Sequence, residues 1–154
     1  MKRFRFHLQR ILNIRDAEKQ QREMELINAI KKFREEERKL KELYKIMDEA
    51  RNIETILLNT KSIYYLLQRE RYLVRLKRLI SDQEYRLRAA KGDLAVAEER
   101  LRTARIEQEK IEKIKSRSFR RWQKEFNLEE RKFNDETAAL LINYRNLTGS
   151  KVSW

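Results

Sequence analysis

The chain has 154 residues, 38 Lys and Arg against 25 Asp and Glu for a net charge of +13, and 41% charged residues, with no Pro, no Cys, two Gly and one His. Without Cys there is no disulfide or thiolate metal site; His7 alone supplies neither a zinc-site pair nor a nucleophile–His–acid triad, and Gly92 and Gly149 are too few for a phosphate-cradling loop. What remains is a chain rich in Glu, Lys, Arg, Leu and Ala, the composition of long helices and coiled coils, and the fold class it predicts is all-α with no bound cofactor and no metal.

The N-terminal run Met1-Lys2-Arg3-Phe4-Arg5-Phe6-His7-Leu8-Gln9-Arg10 is basic, and Arg10 interrupts its apolar residues, which argues against a signal peptide. The longest charge-free stretch, Thr137 to Tyr144, is eight residues, far below the ~20 needed to span a bilayer. A cytoplasmic protein is the expectation. The first predicted helix covers about 4–58, with Leu26, Phe33, Leu40 and Met47 every seven residues and Ala29, Leu43 and Ala50 between them. Glu36 interrupts the second row.

One break is predicted, at Asn59-Thr60-Lys61-Ser62, whose short polar side chains compete with helix and cap new ones. Immediately after it, Ile63-Tyr64-Tyr65-Leu66-Leu67 places five apolar residues in succession, more than a two-helix seam can bury. They form either a fold-back closing the turn or an exposed docking site. Basic residues follow, with Arg69, Arg71, Arg75, Lys77 and Arg78 against Glu70 alone.

The second predicted helix covers about 62–146, leaving a short tail at 147–154. Leu73, Ile80, Leu87, Leu94 and Leu101 recur every seven residues, and Leu76, Ala90, Ala97, Ala104 and Ile111 fill the alternate row, broken by Gln83. Steps of three and four sustained over five heptads are the signature of a coiled-coil seam. Gly92 sits among these heptads as an outer-face glycine. Two helices with one short connection cover their apolar stripes by forming an antiparallel coiled-coil hairpin, read here as a single domain over 1–154. With the turn near 60–61, Phe4 is expected opposite about residue 117, leaving the rest of helix two as an unpartnered overhang.

That overhang carries Phe119, Trp122, Phe126 and Phe133 on one face, slipped in phase from the seam, since 118 and 125, where the second row would continue, are Ser and Glu. These aromatics either pack on the N-terminus or a second copy, or offer an apolar face to a partner protein; the latter is the reading taken. Lys110, Lys113, Arg117, Arg121 and Lys124 form a basic stripe beside them, with six cations and no acid over 113–124. The stripe is a solvated face, an acidic-partner contact or a nucleic-acid surface. Paired carboxylates such as Glu98-Glu99 and Glu129-Glu130 diverge by about 100° on a helix and suggest no chemistry, so no catalytic residue is assigned.

The opening Phe4-x-Phe6-x-Leu8-x-x-Ile11-Leu12-x-Ile14-Arg15-x-x-x-Glu18 looks like the start of proteins of the FliJ family, the small coiled-coil component of flagellar type III export. The ending from Phe126, with Glu129-Glu130-x-x-Phe133-x-Asp135-Glu136-x-Ala138, is similar to the family's Glu-Gln/Glu-x-x-Leu-Asp-Glu-x-Ala pattern, departing from it at Phe133 and Asn134. The resemblance implies a non-enzymatic coiled coil, similar to the γ-stalk of rotary ATPases, which inserts its joined helix ends into the export ATPase hexamer and promotes its assembly. It further implies contact with the export-gate membrane protein, recycling of export chaperones, and a peripheral place at the inner membrane through those partners. Carried onto this sequence, the gate surface corresponds to Tyr44, Met47, Tyr72 and Leu76. The competing readings are a generic coiled-coil adaptor, an injectisome stalk, or a basic binder of nucleic acid or membrane surfaces.

Overall fold

The structure, a computed structural model, describes residues 3–57 and 63–149. It consists of two long helices packed against each other, α1 over Gln9–Leu57 and α2 over Ile63–Gly149. The expected break at 59–62, with its caps Thr60 and Ser62, lies outside the described residues. Helix α1 starts later than position 4. Its first turn is tied instead by Gln9 N–H donating to the Phe6 carbonyl at 3.1 Å and Leu12 N–H donating to the Leu8 carbonyl at 3.0 Å. Helix α2 also runs past 146, to Gly149.

The chain divides into two compact units, Arg15–Ile106, and Met1–Ile14 with Glu107–Trp154. Within Arg15–Ile106 the helices run antiparallel, because Glu23 pairs with Arg105, Lys32 with Asp93 and Tyr44 with Glu84. The buried core on α2 is Leu73, Leu76, Ile80, Ala90, Ala97 and Leu101, the residues of the two heptad rows. Met47 closes on Leu73, Leu76 and Ile80, with Leu40, Leu43 and Ala50 packed around them. Gly92 is exposed and helical, and a β-carbon there would meet nothing within 4 Å. The ion pairs on the outer faces leave their partners largely solvated, so each adds little to stability.

The two breaks in the rows meet each other. Gln83, buried at 6% exposure, donates from Nε2 to the Glu36 carboxylate at 2.5 Å and to the Glu36 carbonyl at 3.0 Å. Lys39 adds a 3.1 Å ion pair to Glu36, whose side chain is only 13% exposed. The Gln83 hydrogen bond, seconded by Lys39, holds the Glu36 carboxyl below the ordinary value of 4.5. Sliding either helix along the other would part the two groups and leave Gln83 buried without this partner, so the pair pins the register.

A pH dependence follows. A depressed carboxyl stabilises the fold fully above its unfolded value and loses that contribution as pH falls through the lower folded value. A Gln83→Leu chain is expected to show a lower urea midpoint than wild type at pH 7. The gap narrows as pH falls through the lowered folded value of Glu36, where the carboxylate takes a proton. A gap that is constant with pH would mean the bond is not what stabilises.

Candidate functional site

Within the unit formed by 1–14 and 107–154, the N-terminal segment lies along α2. Phe6 and Leu12 are buried at 9% and 5% exposure, and Lys115 Nζ donates to Gln9 Oε1 at 3.0 Å. Phe4 precedes the helix, and its ring meets Phe119 edge-on at 5.2 Å and Trp122 at 5.8 Å. Trp122 in turn stacks on Phe119 at 5.7 Å and on Phe126 at 5.2 Å. Four rings therefore pack together where the N-terminal segment meets α2.

This corrects the register expected from sequence. Phe4 sits opposite 119 and 122 and not 117, so Phe119 and Trp122 lie within the N-terminus's reach and the unpartnered stretch begins later. Nor has the phase slipped at Trp122. The row of Leu73, Ile80, Leu87, Leu94 and Leu101 continues by sevens through Gln108 and Lys115 to Trp122, all three half-buried. The two polar residues hide the continuation when only apolar positions are counted. The slip comes after Trp122, where the next half-buried residue is Phe126, and residues 127–149 are all exposed. Phe133 stands apart at 65% exposure. Of the two readings of these aromatics, packing on the N-terminus therefore holds for Phe119 and Trp122. Phe119 at 43% exposure and the half-buried rims of Trp122 and Phe126 still face water.

Lys113, Arg117, Arg121 and Lys124 are all exposed. At about 100° per residue Lys113, Arg117 and Lys124 lie on the side of α2 turned away from Trp122, with Arg121 on its flank. Apolar rings thus occupy the inner side of this helix and cations the outer side, with no acid between 113 and 124. Arg3 and Arg5, both exposed, add to that charge.

The four residues assigned to a gate surface separate in the structure. Met47 and Leu76 are buried together in the seam at 5% and 4% exposure, because both occupy heptad seam positions, and a surface contact through them would require the helices to part. Tyr44 and Tyr72 stand on the flanks, each 45% exposed. The Tyr44 hydroxyl donates to Glu84 Oε1 at 2.5 Å, and this bond raises the Tyr44 pKa above 10.0. The run Ile63–Leu67 forms the first turns of α2, not a separate fold-back, and every residue in it is exposed. Among the described residues there is no cluster of potential metal ligands, and no helix is long and apolar enough to cross a membrane.

The family model described as flagellar FliJ protein matches residues 4–147. No curated protein and no solved structure matches the chain. The matched span takes in Phe4 and its ring partners, the pinned seam and all but the last two residues of α2. This chain belongs to the FliJ family, non-catalytic components of the flagellar protein export apparatus.

Proposed function

We propose that this chain is the stalk of the export apparatus, whose joined N- and C-terminal end enters the central opening of the export ATPase hexamer and favours the assembled, active ring. The observation that carries this reading is the aromatic end itself. Phe4 braces Phe119, Trp122 and Phe126 into a rigid apolar cluster while Lys113, Arg117, Arg121 and Lys124 surround its outer side. Rigid aromatics are the residues that carry binding energy in interfaces, and a positive field steers the end toward an acidic ring interior and raises the on-rate. Phe133 and the exposed helix that follows extend the same contact surface. A pull-down of the export ATPase tests the reading. Full-length chain is expected to retain it; failure to do so at micromolar concentration would refute the assignment.

The same chain contacts the export-gate membrane protein and assists chaperone recycling, and it is held at the cytoplasmic face of the inner membrane through those partners. The gate contact uses the exposed Tyr44 and Tyr72, with Met47 and Leu76 supporting them from the seam beneath. A Tyr44→Ala, Tyr72→Ala chain is expected to keep its helicity and bind the gate protein at least about tenfold more weakly, as loss of aromatic anchors does. Unchanged gate binding with both rings removed would overturn that placement.

A further inference from the structure

We propose that the first turns of α2, from Ile63 to Arg78, are a membrane-contact element that inserts shallowly into a surface of anionic phospholipid. Ile63, Tyr64, Tyr65, Leu66 and Leu67 are exposed at 75%, 68%, 71%, 47% and 56%. Successive helical residues turn about 100°, so these five side chains point to every side of the helix. A protein groove receives one stripe, at i, i+3, i+4 and i+7. An apolar girdle reaching all round suits a medium with no preferred side, the boundary between lipid headgroups and acyl chains.

The residues that follow supply the complementary charge. Tyr64, Leu67, Arg71, Arg75 and Arg78, in steps of three, four, four and three, share the face opposite the buried Leu73, Leu76 and Ile80. That face runs from apolar to cationic with no acid on it. Glu70, the one acid from 63 to 78, lies off it and pairs with Arg69. Arginine forks match phosphate oxygens bidentately, and each cation near an anionic leaflet adds to the attraction. Entered end-first, Ile63 to Leu67 carries apolar side chains about 6 Å deep along the helix axis. Both tyrosines carry an apolar ring and a polar tip, the residue type that settles at this boundary.

The test is co-sedimentation of the full chain with phosphatidylcholine vesicles, alone or mixed with phosphatidylglycerol. Binding is expected to the mixed vesicles and to be at least about tenfold weaker to the neutral ones. Tyr64→Ser with Leu67→Ser, and separately Arg71→Gln with Arg75→Gln, each lower binding to the mixed vesicles about tenfold. All four positions are exposed, so circular dichroism stays unchanged. A control, Arg88→Gln with Lys91→Gln, removes the same charge from exposed positions elsewhere on α2 and stays within about twofold of wild type. An equal loss in the control would mean general adsorption of a +13 chain and overturn the proposal. Full binding by the serine variant would also overturn it, leaving the apolar turns to a protein contact, and so would absence of binding to the mixed vesicles.

Discussion

Leu101→Ala and Leu76→Ala are each expected to destabilise the chain by about 2–4 kcal/mol, lowering Tm by roughly 5–15 °C. Both side chains are nearly sealed, at 3% and 4% exposure, and their removal forfeits burial and leaves a cavity between two helices that have little else to close it. Leu94, half-buried in the same row, should cost less. Val96→Ala, 50% exposed on the outer face, should fall within about 0.5 kcal/mol of wild type. Thermal unfolding followed by circular dichroism measures all four. Equal effects from Val96 and Leu101 would mean that the heptad rows do not form the core.

The second large effect is expected at the aromatic end. A Trp122→Ala, Phe126→Ala chain loses one of the two rings on which Phe4 rests and the stack beyond it. Each aromatic pair contributes about 0.5–1.5 kcal/mol beyond its buried area, so the segment before Gln9 should fray and become open to protease while the seam in Arg15–Ile106 stays intact. Because the same rings are proposed to anchor the ATPase, affinity for it should fall about 30-fold or more, as for interface anchors costing 2 kcal/mol or above. Helicity should hardly change. Calorimetric titration with the ATPase reads the affinity and limited proteolysis reads the fraying. A variant that frays but binds as wild type would confine these rings to a structural role.

Much of the fold is legible in the sequence because coiled-coil burial is periodic. Leu73, Leu76, Ile80, Ala90, Ala97 and Leu101 follow from counting by sevens, and the absence of Pro leaves nothing to interrupt the helices. Periodicity also marks Glu36 and Gln83 as separate interruptions. That they satisfy each other is a tertiary fact, visible only once the register aligns them. The place of Trp122 was legible in principle, since the row reaches it through Gln108 and Lys115, but a polar seam residue such as Lys115, bonded to Gln9, carries no hydrophobic signal.

The N-terminal segment was harder to read. Phe4 and Phe6 fit a helical stripe, yet the chain here is not helical. Their rings are placed by packing against α2, which moves Phe4 two to five residues beyond the expected position 117. For the gate surface, the family resemblance grouped seam and flank residues together. The heptad positions of Met47 and Leu76 already implied burial, and Tyr44 and Tyr72, one step off the seam, are the exposed pair.

The aromatic end is the part proposed to act on the ATPase, and one measurement addresses it directly. Turnover of the export ATPase is measured with the full chain and with a chain ended after Ser118, which lacks Phe119, Trp122, Phe126, Phe133 and the exposed helix behind them. The shortened chain keeps the pinned seam and should remain helical and bind the gate protein. The full chain is predicted to raise turnover by favouring the assembled ring, and the shortened chain to leave it at the basal rate. Equal stimulation by the two chains would contradict the assignment.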